Sequence, residues 1–179
     1  MANWPAIGSI IIPNVGGIAT GLYFAGQVCR CTKEDGPTKA WYDGLQKPKW
    51  VAPKCAMGPA NIVMYSSMGY ASYLVYNECG GFTEDAVLPL TLYGGQLLLN
   101  WAYAPILFGL KDLKLAFIEV SVATGALAAT AVAFSKVDKT AALLLLPGLA
   151  WLAYNTAVNH FLWKNNPEKI KELKDDKAN

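Results

Sequence analysis

Residues 113–134 read LKLAFIEVSVATGALAATAVAF, a nearly unbroken run of apolar and small side chains. A helix needs about 20 such residues, at about 1.5 Å each, to cross about 30 Å of hydrocarbon. This block meets that length, and the chain contains four more like it. In chain order the others are Ile7–Val28, Gly58–Tyr76, Ala86–Leu107 and Ala141–Trp163. The sequence therefore predicts an all-α membrane protein, a bundle of five transmembrane helices.

The composition supports lipid as the solvent for this chain. Hydrophobic residues make up 54% of its 179 residues and charged residues 16%, on the apolar side of ordinary globular usage. A soluble domain of this size would not need five long apolar blocks that share a single acid, Glu119. The net charge of +2 gives no indication of a nucleic-acid partner. The first block has no Lys or Arg before it and is too long for a signal peptide, so we expect a retained helix.

Basic residues are distributed unevenly between the connections. All of the 15 Lys and Arg residues except Lys136 and Lys139 fall in the first connection, the third connection or the C-terminal tail. With five spans these three segments share one side of the membrane, and the positive-inside rule makes that side the cytosol. We therefore predict a transmembrane domain over residues 1–166, a charged cytosolic tail over residues 167–179, and an N-terminus on the far side.

The connection from Gln27 to Met57 is the only long one. Its prolines and Gly36 exclude a long regular helix, and Trp41 and Trp50 lie among lysines. Aromatic residues beside cations are typical of an anchor at the membrane interface. A loop of this length in a compact protein is also often functional, so a lid over one mouth of the bundle is the second interpretation.

Amide side chains recur within the apolar blocks. An amide facing lipid leaves its donors and acceptors unpaired, so these residues should face the interior, where they could either join helices or line a cavity. Aromatic residues near them favour the cavity, because apolar walls with a few polar groups suit a flat apolar ligand such as a sterol or tetrapyrrole. The amides are Gln96, Asn100, Asn155 and Asn159, and the aromatic residues are Tyr65, Trp101, Tyr103 and Trp151.

Catalytic and metal-binding patterns are missing from the sequence. It contains no Ser-His-Asp set, phosphate loop or paired carboxylates, so no catalytic residue, metal site or cofactor is predicted. The single His160 is read as a packing or interfacial residue. The four cysteines, with a lone distant histidine, are too sparse for zinc and are read as reduced thiols. They are Cys29, Cys31, Cys55 and Cys79.

Glu119 has two interpretations. A carboxyl group within a membrane helix is a candidate functional group by default. It also lies near the Lys111 and Lys114 end of its block, where a long side chain can reach the interface by snorkelling.

Several ordered stretches resemble a known family. They are residues 41–50 (WYDGLQKPKW), 68–75 (MGYASYLV), 96–109 (QLLLNWAYAPILFG) and 149–153 (LAWLA). In this order and spacing they resemble the translocator protein family (TspO/MBR, also called the peripheral-type benzodiazepine receptor) over residues 5–166. Residues 80–84 (GGFTE) are similar to its animal branch.

The resemblance implies a five-helix bundle whose cytosolic first loop caps a pocket. It further implies residence in the outer mitochondrial membrane, homodimers, and binding of cholesterol, porphyrins and synthetic isoquinoline or benzodiazepine ligands. Porphyrin or haem would be a ligand and not a cofactor. Together with the polar and aromatic pattern, it suggests ligand-binding residues Trp50, Asn61, Tyr65, Asn100, Trp101, Tyr103, Leu115, Trp151 and Asn155, and sterol-binding residues Val158, Asn159, His160 and Lys164.

The chain departs from the family pattern at five of its positions. The family usually has Trp at the positions of Cys55, Asn61 and Leu115, Ala at Asn155, and Tyr at His160 within its sterol motif. The positions of Asn61 and Trp151 match two tryptophans that bacterial relatives use in light-dependent porphyrin breakdown. Loss of one indole removes a large π-face, so porphyrin chemistry is disfavoured here.

The sequence thus predicts an integral membrane protein that binds a sterol or porphyrin and takes part in its movement or sensing. Two alternatives remain at this point. One is an enzyme that degrades porphyrins by photo-oxidation, and the other is a membrane scaffold that recruits partners through its basic loop and tail.

Overall fold

The computed structural model describes residues 4–25 and 37–169 of the chain. The predictions for Cys29, Cys31, the end of the first block at Val28 and most of the charged tail lie outside the described residues. Every regular element within the described ranges is helical, so the all-α prediction is confirmed.

The helices follow the apolar blocks closely. Helix α1 covers Trp4–Thr20 and continues as a π-helical segment through Gly21–Ala25, and α2 is the short helix Pro37–Asp43. The remaining elements are α3 (Lys54–Glu78), α4 (Glu84–Ala104) with a π-helical segment at Pro105–Leu110, α5 (Leu113–Ser135), α6 (Lys139–Leu144) and α7 (Leu146–Asn165).

The last apolar block is not one continuous helix. A turn at Leu145 separates α6 from α7. Pro147 has no backbone N–H, so it cannot donate to the carbonyl four residues earlier, and its ring crowds that carbonyl. The predicted stretch through Pro147 is nevertheless one candidate span, Lys139–Asn165, with a single turn at Leu145 within it.

Short capped turns join α4 to α5 and α5 to α6. The Asp112 carboxylate accepts hydrogen bonds from the backbone N–H groups of Lys114 and Leu115, both at 3.0 Å. Asp138 likewise accepts one from the N–H of Thr140 at 2.8 Å. Such side-chain caps satisfy the free donors of a helix start, and they fix where each helix begins.

Three helical stretches in the described ranges are long and apolar enough to cross a membrane. They are Trp4–Phe24, Leu113–Ser135 and Lys139–Asn165. Helices α3 and α4 have 25 and 21 residues, but amide, hydroxyl and tyrosine side chains lower their apolar character. The predicted membrane protein is thus supported by length and composition for three of the five blocks.

The long helices pack side by side in a ring. Helix α1 contacts α3 and α4, α3 also contacts α7, α7 contacts α5, and α5 contacts α4. The chain order therefore differs from the order around the ring, which places α3 and α7 next to each other.

Helix α1 packs closely on α3 and α4 at glycines. A Cβ at Gly69 would collide with the Ser9 carbonyl, which has no helical donor because residue 13 is proline. A Cβ at Gly16 would collide with the Trp101 indole, whereas one at Gly21 would meet open space. Small residues at helix interfaces allow this close approach.

The first loop packs onto one end of the ring. Tyr42 and Leu45 are buried in an apolar cluster with Leu107, Val158 and Leu162. For these two loop residues the structure favours a cover over the bundle end, because their side chains lie against α4 and α7 and not at the surface.

Candidate functional site

A cavity of about 350 Å³ lies inside the ring of helices. Helix α1 with its π-helical segment, α2, α3, α4 and its π-helical segment, α5 and α7 all contribute to its wall, which is mostly apolar. Its volume is within the range of about 300–1,000 Å³ that is usual for small-molecule sites. Of the predicted site residues, those that line it are Asn61, Tyr65, Asn100, Tyr103, Trp151, Asn155 and Val158.

Trp151 and Asn61 meet across the cavity wall. The Trp151 indole N–H donates to Asn61 Oδ1 at 3.0 Å, joining α7 to α3. The Trp151 ring also stacks on Tyr154, with ring centroids 5.3 Å apart. Asn61 therefore acts as a hydrogen-bond acceptor for Trp151 in the cavity wall.

A hydrogen bond from the Asn159 side chain connects α7 with α4, and further side-chain amide hydrogen bonds run along α7. Asn159 Nδ2 donates to the Tyr103 hydroxyl at 2.8 Å and to the Asn155 carbonyl at 2.8 Å. Asn155 Nδ2 donates to the Trp151 carbonyl at 2.8 Å. Asn159 is 1% exposed and joins helices, while Asn155 lines the cavity. The two roles considered for the amides are thus both present, at different residues.

The other predicted site residues lie away from the cavity. Trp101 donates from its indole N–H to the Pro13 carbonyl at 3.3 Å, and its ring lies against Gly16. Leu115 is an exposed residue on α5. His160 and Lys164 are exposed on α7, and the His160 ring lies beside Phe117, with centroids 5.3 Å apart.

Trp50 lies outside the cavity but covers part of α7. Its ring meets Tyr154 edge to face, with centroids 5.8 Å apart. The hydroxyl of Tyr154 accepts a hydrogen bond from the backbone N–H of Ala52. The loop is thus attached to α7 next to Trp151, although Trp50 itself is 53% exposed.

Asn166 holds the loop at a second point. Its Oδ1 accepts from the Gln46 backbone N–H at 2.7 Å, and its Nδ2 donates to the Gln46 carbonyl at 3.1 Å. The same Nδ2 donates to the Leu162 carbonyl at 2.8 Å. We call this pair of bonds between Asn166 and Gln46 the Asn166 clasp. Sequence reasoning missed it, because residue type alone does not distinguish Asn166, which is buried, from its exposed neighbour Asn165.

Glu119 lines the cavity and is 7% exposed. Neither of its carboxylate oxygens has a hydrogen-bond partner among the described residues. The interpretation that Glu119 snorkels to the interface was therefore wrong, because the side chain is enclosed between helices. The signal in the sequence was its status as the single acid in five apolar blocks.

Comparison with known proteins identifies relatives of this fold. The sequence profile of the TspO/MBR family matches residues 9–164. The chain is 45% identical to the translocator protein of Homo sapiens over 162 residues, 90% of each chain. It is 42% identical to the translocator protein of Ovis aries over 162 residues, again 90% of each chain. It is 34% identical to translocator protein 2 of Canis lupus familiaris over 158 residues, which are 88% of this chain and 86% of that one. With a profile match and relatives that extend over nearly its whole length, this chain is a member of the TspO/MBR family.

Proposed function

We propose that this protein binds a lipophilic ligand, cholesterol or another sterol or a porphyrin, in the cavity between its helices and takes part in the movement or sensing of that ligand. The observation that carries the proposal is the cavity of about 350 Å³, with apolar walls and a few placed amides. No bond in the ligand would be broken. Release would require the first loop to detach and the helices to part slightly.

The proposed setting is a membrane crossed by five spans, with α3 and α4 completing the set. Their contacts with the three apolar helices support this, because each packs within the same ring. The uneven distribution of lysine and arginine supports a cytosolic first loop and C-terminus. The family resemblance suggests the outer mitochondrial membrane and a homodimer, and both remain part of the proposal.

Photo-oxidative breakdown of porphyrins is the alternative from the enzyme class. It would need an aromatic pair at positions 61 and 151. The hydrogen bond from Trp151 to Asn61 Oδ1 counts against it, since the acceptor has no π-system comparable to an indole. A scaffold role through the basic loop and tail is the third possibility, and it predicts function that is independent of the cavity.

Two glycines allow a matched test of the cavity. Gly21 lines it, and a Cβ added there would meet no atom within 4 Å. Gly125 has the same open surroundings but lies on the exposed side of α5. Phenylalanine at position 21 should therefore fill cavity space without a clash in the backbone, and phenylalanine at 125 should face outward.

The experiment titrates purified protein in nanodiscs with a fluorescent sterol and, separately, with a porphyrin. We expect saturable binding to the wild type, binding at least about tenfold weaker to Gly21→Phe, and unchanged binding to Gly125→Phe, since losing a few well-packed contacts costs upwards of about 1.4 kcal/mol. Absence of saturable binding of both ligands to the wild type would refute the proposal. Equal binding by the two variants would show that ligands bind elsewhere.

A further inference from the structure

Glu119 is the most unusual polar group in the cavity wall. It is 7% exposed, and both of its carboxylate oxygens are without a partner among the described residues. The acids Asp112 and Asp138, in contrast, both cap helices through backbone N–H groups. Leaving a buried polar group unpaired destabilises the fold, and more so when the group is charged. A group with unmet hydrogen-bonding capacity at the wall of a binding cavity points to a contact with the ligand.

We propose, building on the proposed lipophile-binding function, that Glu119 is the polar anchor of the cavity and selects neutral ligands that carry a hydroxyl group over ligands that carry carboxylates. This assigns a specificity role to a residue that touches ligand. It also ranks the two ligand classes of the proposed function, with a hydroxylated sterol above a porphyrin diacid.

Among the described residues of the cavity wall, buried side-chain acceptors without a partner belong to Glu119 and Asn14, and Glu119 offers two such oxygens where Asn14 offers its Oδ1 alone. Asn100 and Asn155 each donate one side-chain N–H within their own helix, at 3.0 and 2.8 Å. The oxygen of Asn61 accepts from Trp151. A hydroxyl group both donates and accepts. It therefore satisfies the Glu119 carboxyl group whether that group is ionised or neutral.

Charge makes the same residue unfavourable for anionic ligands. Among the described residues that line the cavity, Glu119 is the single acid, and none is lysine or arginine. A carboxylate of a porphyrin would thus meet a carboxyl group in an apolar wall without a described cation beside it. Like charges repel more strongly where the dielectric constant is low. Either the ligand would be excluded or one of the two groups would have to take up a proton.

The first arm of the test compares cholesterol with the corresponding hydrocarbon that lacks the 3-hydroxyl group. Both are titrated into nanodiscs that hold wild type, Glu119→Leu or Glu119→Gln. Both compounds share the same apolar ring system, so the ratio of their affinities reports mainly the contribution of the hydroxyl group. We expect the advantage of the hydroxyl group to fall about tenfold in Glu119→Leu, the effect of one hydrogen bond to a charged group. Most of it should remain in Glu119→Gln, whose amide can donate and accept.

The second arm compares a porphyrin diacid with its dimethyl ester. At a pH where Glu119 of the wild type is ionised, we expect the diacid to gain about tenfold relative to the ester in Glu119→Gln, because a like charge has been removed at nearly constant size. Glu78→Gln and Glu78→Leu are the matched controls. Glu78 is an exposed acid at the end of α3, and both variants should reproduce the wild-type ratios.

The outcomes separate this inference from the proposed function. If the wild type binds the lipophiles but both ratios are unchanged in the Glu119 variants, the anchor role is refuted and the cavity function stands. If the wild type shows no saturable binding of any of the four compounds, the proposed function itself fails. Should Glu119→Leu not fold, as judged by its circular dichroism, the ratio of diacid to ester in Glu119→Gln decides alone.

Discussion

Replacing Asn166 with alanine tests whether the first loop controls access to the cavity. The variant loses both bonds of the Asn166 clasp, the 2.7 Å bond from the Gln46 N–H and the 3.1 Å bond to the Gln46 carbonyl. Asn166 is 5% exposed, so neither bond is weakened by competing water. A net hydrogen bond of this kind contributes about 0.5–1.5 kcal/mol. Together they stabilise the attached loop by about 1–3 kcal/mol, which corresponds to about 5- to 150-fold in the opening equilibrium.

The direct assay is amide hydrogen exchange over residues 42–52. Exchange through local opening follows the free energy of that opening. Asn166→Ala should therefore raise the exchange rate of the Gln46 amide within the calculated range. The dissociation rate of a bound sterol or porphyrin should rise in parallel, because the ligand leaves when the loop opens. Asn166→Asp keeps an acceptor for the Gln46 N–H and should fall between the wild type and alanine.

Asn165 supplies the matched control for this prediction. It is the neighbouring residue with the same side chain, it is exposed, and its Nδ2 donates to the Phe161 carbonyl of its own helix at 2.9 Å. Asn165→Ala should leave loop exchange at the wild-type rate. If Asn166→Ala also left it unchanged, or if both variants raised it equally, the reasoning that the clasp holds the loop would be refuted.

Two further predictions concern the contacts between helices. Gly69→Ala should lower the free energy of unfolding by about 1–3 kcal/mol, the usual cost of an overpacked site, because its Cβ would collide with the Ser9 carbonyl. Thermal melts in detergent measure this change. Gly94→Ala is the control and must stay near wild type, because a Cβ there meets nothing within 4 Å. Illumination of the porphyrin complex should give no product that depends on Trp151, because Asn61 occupies the partner position. Absorbance spectra of the porphyrin measure product formation. A product that forms in the wild type but not in Trp151→Phe would instead support the photo-oxidative enzyme.

The pattern of apolar blocks predicted where the helices lie, because helix length and hydropathy are local properties. Block and helix agree within a few residues for α3 and α5. The bond between Trp151 and Asn61 joins positions 90 residues apart. It could not be predicted from residue types, because it depends on α7 packing next to α3. The family resemblance paired the two positions without indicating that their present side chains bond to each other.

Residues whose side chains could lie either at the membrane interface or inside the bundle were the hardest to place from sequence. Glu119 could have reached the interface or remained inside, and only the rotation of α5 against its neighbours decides this. Its burial follows from that rotation. Gly17 and Gly21, one helical turn apart on the first span, show the same dependence. A Cβ at Gly17 would collide with the Tyr65 ring on α3, but one at Gly21 would meet open space, where the span borders the cavity.

The two long helices that do not register as membrane spans by length and hydropathy both contribute polar side chains to the cavity. Helices α3 and α4 supply Asn61, Tyr65, Asn100 and Tyr103 to its wall. Polar side chains on lipid-facing surfaces would be costly, whereas on a cavity surface they can bond to neighbouring helices or to a ligand. A binding site between helices thus allows polar side chains within helices that cross a membrane. The five-span proposal and the binding proposal are therefore compatible, since part of the polar character of α3 and α4 lies in the cavity wall.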